Sequence, residues 1–214
     1  MNIEKLLQDR DTIHNIHDNY FKFIFQKVEN VRDFLEEFFP ELSKHVQIES
    51  IEPQPTEKYS VQLKEKQYLD FAINCQIQNK PSQIYILFEH KSNLDKKVIL
   101  QIAKYIVAVW EEDIINDREL RAVIPIVFYH GSKEWNIPRS TTEGFKDFPE
   151  EIKRYLLSLE YLIFDTSQVK DERINTLSSK NHILMMSIYI LKKMSRYTKR
   201  GEAKRLFLEL AEMM

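Results

Sequence analysis

The sequence predicts a mixed α/β fold: a sheet core flanked by helices, followed by a helical C-terminal extension. Three observations carry this. The stretch "YLDFAINCQIQNKPSQIYILFEHKSNLD" (68–95) holds two runs rich in Ile, Phe, Tyr and Leu around a turn-like Asn79-Lys80-Pro81-Ser82, the signature of a hairpin. Residues Asp95 to Ile115 carry Val98, Ile99, Ile102, Ile106, Val109 and Trp110 at helical period. The run "AVIPIVFY" (122–129) is nearly continuous apolar sequence, as a strand buried on both faces requires.

The remaining elements follow in chain order. Ile16, Tyr20, Phe23, Ile24 and Val28 recur at helical spacing, predicting a helix over 15–29. A second helix runs from Val31 to Phe39 and stops at Pro40. Val46 to Ile51 is an alternating strand ahead of Pro53 and Pro55, which residues 58–63 could extend or replace. The hairpin strands are Tyr68–Gln78 and Gln83–His90, and Asn93 or Asp95 could cap the helix after them. Pro125 weakens the strand at 122–129, or marks a position that needs no ladder donor. "YLIFD" (161–165) is one more short strand, the rest after Phe148 is mostly helical, and the tail from Asn181 reads as two helices broken near Gly201. We divide the chain into a core domain, 1–175, and a helical extension, 176–214.

Composition narrows the function. Of the 214 residues, 43% are hydrophobic and 30% charged, too apolar for disorder. No apolar run is long enough to span a bilayer, and the first 20 residues lack a signal-peptide core, so the expected location is the cytoplasm, without membrane partners. The single cysteine, Cys75, excludes an intrachain disulfide and a cysteine-based zinc site; within an apolar run it reads as a buried, inert thiol. Three glycines in the whole chain are too few for the clustered glycines of phosphate-cradling loops. With a net charge of −2, a nucleic-acid partner must be met by a local basic face. Lys192, Lys193 and Arg196 begin one candidate segment, although a solvated helix face explains the same run.

The polar residues within the hairpin need a reason. Side chains alternate across a strand, so Tyr85, Leu87, Glu89 and Lys91 share one face, while Ile84, Ile86, Phe88 and His90 share the other. An even-length loop such as Asn79 to Ser82 pairs odd positions with even ones, which sets Asp70 on the face of Glu89 and Lys91. Changing the loop by one residue would separate them. Two neighbouring carboxylates repel unless a positive group lies between them. A divalent cation is the usual answer, and oxygen ligands favour Mg²⁺ or Mn²⁺. A lysine beside that ion completes a kit for metal-assisted phosphodiester hydrolysis. The bland reading is a turn-capping Asp70 and a solvated Glu89–Lys91 pair, worth little.

Asp followed by Glu-x-Lys on adjacent strands, with a helix after them, is the pattern of the PD-(D/E)xK nuclease superfamily, and the helix-strand-strand-strand-helix-strand order is similar to its restriction-endonuclease-like αβββαβ core with a central mixed sheet. Further stretches sharpen the likeness: "IHDNYFKFIF" (16–25), "VRDFLEEFFPEL" (31–42), "LDFAINC" (69–75), "YILFEHKSNLD" (85–95), "AKYIVAVWEE" (103–112), "AVIPIVFYHGSKEW" (122–135) and "YLIFDTSQVKDE" (161–172). In this order they resemble the recombination-promoting nucleases, also called YhgA-like transposases, over most of residues 14–175.

The apolar tail residues Ile183, Leu184, Met185, Ile188, Ile190 and Leu191 could mediate a homodimer or equally pad the core. The resemblance implies a metal-dependent DNA endonuclease linked to recombination or mobile elements, acting on double-stranded DNA. It implies Asp70 and Glu89 as metal ligands, the His90 backbone carbonyl as a third, and Asp18 as a further acidic group near the ion. Lys91 would assist catalysis; relatives often carry glutamine there, so this chain departs from them toward the wider superfamily. Gln101 stands where relatives often have arginine, which puts a phosphate contact there in doubt, though it remains a candidate catalytic residue. Lys104, Tyr105 and His130 are candidate DNA contacts; helix packing for Tyr105 and a turn at Gly131 for His130 explain the same letters. Rival readings are a relic that binds DNA or protein without cleaving, and an RNA nuclease with the same core.

Overall fold

The computed structural model describes residues 20–55, 70–89, 97–131, 133–170 and 182–194. Residues 20–25 form the helical turn α1, followed by α2 (Val28–Phe38) and the short α3 (Pro40–Ser43). Strands β1 (Val46–Pro55), β2 (Asp70–Ile77) and β3 (Lys80–Glu89) come next. Helix α4 (Val98–Ile115) leads into β4 (Ala122–Tyr129). A 3-10 turn (Thr141–Phe145), α5 (Glu150–Lys153), β5 (Leu162–Asp165) and α6 (His182–Met194) complete the order.

The five strands form one mixed sheet in the order β1-β2-β3-β4-β5. β1, β2 and β3 are antiparallel neighbours, while β3, β4 and β5 run parallel. The parallel β3–β4 pair needs a crossover, and α4 supplies it. An α/β architecture with a central mixed sheet is therefore present.

Strand alternation splits the interior into two cores. Phe71, Ile73 and Cys75 of β2, Ile84, Ile86 and Phe88 of β3, and Ile126 and Phe128 of β4 face a core shared with α1, α2 and α6. Phe21 stacks on Phe88 with ring centroids 4.2 Å apart, and Phe34 meets Phe164 edge-on at 5.0 Å. The opposite face presents Ala72, Tyr85, Leu87, Val127 and Tyr129 to Val98, Ile102, Tyr105 and Val109 of α4. Covered on both faces, the central strands have no polar side to spare, which is why β4 reads as an unbroken apolar run.

Several local expectations shift. The hairpin turn is Gln78-Asn79, both with positive φ (52° and 63°), instead of Asn79–Ser82. Two such residues make the tight turn whose twist suits a hairpin, and Gln47 holds the Asn79 side chain from β1. Pro81 and Ser82 belong to β3; Pro81 precedes the first pairing with β4 at Ser82, so no ladder donor is missed there. Pro125 likewise lies one residue before β5 pairing begins at Ile126. Pro53 and Pro55 continue β1 rather than end it, tolerated because β1 is an edge strand.

The first two helices are separated at 26–27 and not near 30. Buried Asn30 explains the break: its side-chain amide donates to the Ile24 carbonyl at 2.7 Å, satisfying an acceptor at the end of α1. Helix α4 begins at Val98, and the expected caps Asn93 and Asp95 fall outside the described residues, as do 58–63 and Gly201. Residues 133–161 are mostly irregular, with only the short turns named above, where a helical stretch was expected from 148. In the C-terminal extension, α6 packs Leu184, Met185, Ile188, Ile190 and Leu191 into the first core. Gly131 is required for space: a Cβ there would lie 1.9 Å from the Tyr129 hydroxyl oxygen.

Candidate functional site

The hairpin register decides where the two acidic positions stand. β2 begins at Asp70 and β3 ends at Glu89, so both lie at the same end of the sheet. Asp70 pairs with Leu87, and directly opposed residues share a face. Leu87 belongs to the core under α4; positions 70 and 89 therefore share the α4 face. They are diagonal neighbours, a relation that separates Cα atoms by about 7–8 Å. The loop is two residues shorter than expected, yet still even, which slides the partner of Asp70 from position 91 to 87 without changing its face.

Helix α4 runs back along β3. Its middle meets the middle of β3, where Tyr105 stacks on Tyr85, and its end meets the start of β4, where Asp113 binds Arg121. Four helical residues rise about 6 Å and two strand residues about 6.6 Å. Gln101, one turn before Tyr105, accordingly stands near the level of Leu87 and its partner Asp70. It is 8% exposed, and neither its amide nitrogen nor its amide oxygen has a hydrogen-bond partner among the described residues. A buried amide left unmet costs about 1–3 kcal/mol, so its place beside the acidic positions calls for a reason.

The other expected residues are distributed differently. Tyr105, a candidate DNA contact, is 1% exposed; its ring lies under α4 and its hydroxyl donates to Gln83 at 2.7 Å. Gln83 in turn donates to Asn74, its cross-strand partner, at 2.8 Å. These are the contacts of a packing residue. His130 is also buried, stacked on Phe88 at 4.6 Å. Because Phe88 faces the first core, His130 stands on the side of the sheet away from positions 70 and 89. Lys104 is exposed, on the outer side of α4. Asp18, His90 and Lys91 lie outside the described residues. Among those described, no group of three or more His, Cys, Asp or Glu is gathered as metal ligands would be, and no helix is long and apolar enough to cross a membrane.

A cleft of about 800 Å³ opens at the opposite end of the sheet, between Ser50, Asn74, Lys80, Asp113, Arg118 and Arg121. It is far from the acidic positions, and its strongest charges are engaged with each other. Asp113, fully buried, accepts from the Arg121 guanidinium (2.9 Å) and backbone N–H (3.0 Å), and Arg118 lies 3.2 Å away. This cluster ties the end of α4 to the start of β4. The sequence held a sign of it: Asp113 continues the stripe Val98, Ile102, Tyr105, Val109, so an acid sits where the helix faces its core. Gln83, between Ser82 and Ile84 in a buried strand, carried no such sign.

Comparison with known proteins adds the following. The family model described as "Putative transposase, YhgA-like" matches residues 15–213. Among curated proteins, the recombination-promoting nuclease RpnC of Escherichia coli K12 is 30% identical over 160 residues, covering 74% of this chain and 53% of its own. The inactive recombination-promoting nuclease-like protein RpnE of the same strain is 28% identical over 167 residues (76% and 54%). The nuclease RpnD of Escherichia coli O157:H7 is 26% identical over 164 residues (74% and 61%). The chain thus spans little more than half the length of these relatives. No solved structure matches it.

Proposed function

Because the chain belongs to the YhgA-like transposase family, whose curated relatives include proteins named as nucleases, we propose that it is a metal-dependent DNA endonuclease with a restriction-endonuclease-like core. One observation carries the reading: the Asp70–Leu87 register that sets both acidic positions on the α4 face at one sheet end. Two carboxylates in that relation favour a divalent cation over mutual repulsion, and oxygen donors favour Mg²⁺ or Mn²⁺. The unmet Gln101 amide beside them suits a site that receives a water or phosphate oxygen, since it can donate and accept.

In this reading Asp70, Glu89 and the His90 carbonyl hold the ion, with Asp18 as a further acid nearby. When bound, the ion supplies Lewis-acid stabilisation of the phosphate charge that builds during hydrolysis. Lys91 orients the attacking water and offsets charge on the phosphate. Gln101 hydrogen-bonds one of the same oxygens. Lys104, exposed on α4, meets the DNA backbone, where each lysine contact adds a salt-dependent increment to affinity.

The test pairs binding with cleavage. Mn²⁺ titrated calorimetrically should bind the wild type and not Asp70→Asn or Glu89→Gln, with melting midpoints retained. Nicking of supercoiled plasmid should need Mg²⁺ and vanish in both variants. Equal nicking by wild type and Asp70→Asn would sink the proposal. A second reading is favoured by the inactive relative, which is about as similar as the active ones: a protein that binds DNA without cutting it. Salt-dependent DNA binding with no cleavage of duplex or single-stranded DNA, or of RNA, would select it; cleavage of RNA alone would make the chain a ribonuclease.

A further inference from the structure

The charge of this chain is unevenly held. Residues 192–205 contain seven lysines and arginines and one acid, Glu202. That is a net +6 in a chain whose total is −2, which leaves −8 for the rest. Such segregation suits a polyanionic partner met at one place. Cations in the last turn of a helix also favour its dipole, which accounts for Lys192 and Lys193 but not for the cations that follow them.

The fold decides where that segment starts. Glu89, Tyr129 and Asp165 lie in one row across β3, β4 and β5, so the parallel strands all leave the sheet at the end that carries positions 70 and 89. β5 continues into a 3-10 turn, Thr166–Gln168. The last turn of α6 meets the chain just past that turn, where the Lys192 ammonium donates to the Val169 carbonyl at 2.6 Å. A second tie agrees: Ser187 of α6 is hydrogen-bonded to Tyr20, whose neighbour Phe21 stacks on Phe88, one residue before Glu89. Lys193 lies 4.7 Å from the Tyr189 ring centroid, and Lys170 is exposed beside Val169. Three lysines therefore gather where β5 leaves the sheet. Arg196 follows Met194 by two residues, which reach no further than about 7 Å. The acids after Lys170, Asp171 and Glu172, lie outside the described residues.

We propose that this corner is a DNA-backbone contact, which holds a duplex across the sheet end so that it also passes the acidic positions. DNA as the partner rests on the proposed function; the placement rests on the strand register and the Lys192–Val169 bond. Asp165 stands two strand spacings from position 89, about 10 Å, or about three base-pair steps of 3.4 Å. The lysines lie on the first-core side of the sheet, and positions 70 and 89 on the α4 side. A helix is about 10–12 Å thick, comparable with the roughly 12 Å width of a major groove, so one duplex reaches both sides. Contacts of this kind go to phosphates, fix the register of the duplex and read no base sequence. They supply the local attraction that a net charge of −2 does not.

Fluorescence anisotropy of the full chain with a labelled DNA duplex, in EDTA, tests this. The wild type should bind, with log Kd rising linearly with log salt. Lys170→Gln combined with Lys193→Gln should lower that slope by about 1.8, at about 0.9 per lost phosphate contact, with the melting midpoint retained. Lys44→Gln combined with Lys80→Gln removes the same charge near the opposite sheet end and should leave the slope unchanged. Asp70→Asn combined with Glu89→Gln should tighten metal-free binding severalfold, because two carboxylates no longer face the phosphates. A wild type that does not bind the duplex overturns the inference. So does an unchanged slope in the first pair, an equal drop in the Lys44 and Lys80 pair, or an Asp70 and Glu89 pair that binds like the wild type. None of these readouts uses cleavage. A chain that binds as described but never nicks plasmid keeps this contact and loses the endonuclease reading, and one that nicks with an unchanged slope does the reverse.

Discussion

Tyr105 lies flat on Tyr85, ring centroids 3.7 Å apart and planes 9° from parallel, while its hydroxyl donates to Gln83 beneath α4. The stack sets the height of α4 over β3, and the hydroxyl answers a glutamine that is 1% exposed. Asn74, Gln83 and Tyr105 thus form a polar chain inside an otherwise apolar layer, of the kind that fixes one packing arrangement among several.

Tyr105→Phe keeps the ring and removes the donor. It should lower stability by about 1–3 kcal/mol, the cost of leaving a buried acceptor short. Tyr105→Ala should cost about 3–5 kcal/mol, because a cavity is added to the lost bond. Urea denaturation monitored by circular dichroism measures both. If Tyr105→Phe unfolds like the wild type but loses DNA affinity, the residue is a ligand contact after all.

Gln101 offers the opposite combination. Replacing a buried amide that has no partner among the described residues by Leu, similar in size and apolar, removes an unmet polar group. Gln101→Leu should keep or raise the melting midpoint. If the amide serves the proposed site, the same change lowers cleavage or divalent-ion binding by an order of magnitude or more, roughly what one lost charge-directed hydrogen bond costs. A rise in stability with undiminished activity would make Gln101 a packing accident.

Asp113 is fully buried between two arginines. Asp113→Ala takes the buried partner from the Arg121 guanidinium, which is 14% exposed and keeps Glu112 at 3.1 Å, and should cost about 3 kcal/mol, the low end for breaking a buried pair. Arg118→Ala removes a partner that is 48% exposed and should cost about 1 kcal/mol or less. Denaturant midpoints of the two variants should differ accordingly; near-equal values would mean that Asp113 gains little from its burial.

Alkali should act through two buried acids. Burial pushes the Cys75 thiol up from 9.0 to about 11. Burial likewise pushes the Tyr20 hydroxyl up from 10.0 to about 12, against a smaller downward pull from its hydrogen bond with Ser187. Both groups are neutral when protonated and ionise more readily in the unfolded chain. Their contribution is complete below pH 9 and is lost as pH climbs through about 11 and then 12. Urea midpoints should fall over that range, and Cys75→Ala should flatten the first part of the decline. Alkylation of native Cys75 at neutral pH should be slow, and fast in denaturant.

Much of this molecule is legible from its letters. Helical period marks α4, continuous apolar sequence marks β4, and "YLIFD" contains β5. Alternation also places Asp70 with Glu89, because any even hairpin loop preserves the face, and this conclusion outlasts an error of position in the turn. What the letters leave open is coverage. Periodicity groups Val98, Ile99, Ile102, Ile106, Val109 and Trp110 into one apolar stripe but does not tell that Trp110 stays 39% exposed, and apolar residues in α6 suit a core or an interface equally. Likewise Tyr105, Gln83 and Asn74 are separated by up to 31 positions and carry no local sign of their contact. The physical reason is range: period and turn chemistry act between near neighbours and set which residues share a face. Which faces are buried, which charges pair and which amide is left unmet depend on long-range packing, settled only when distant segments meet.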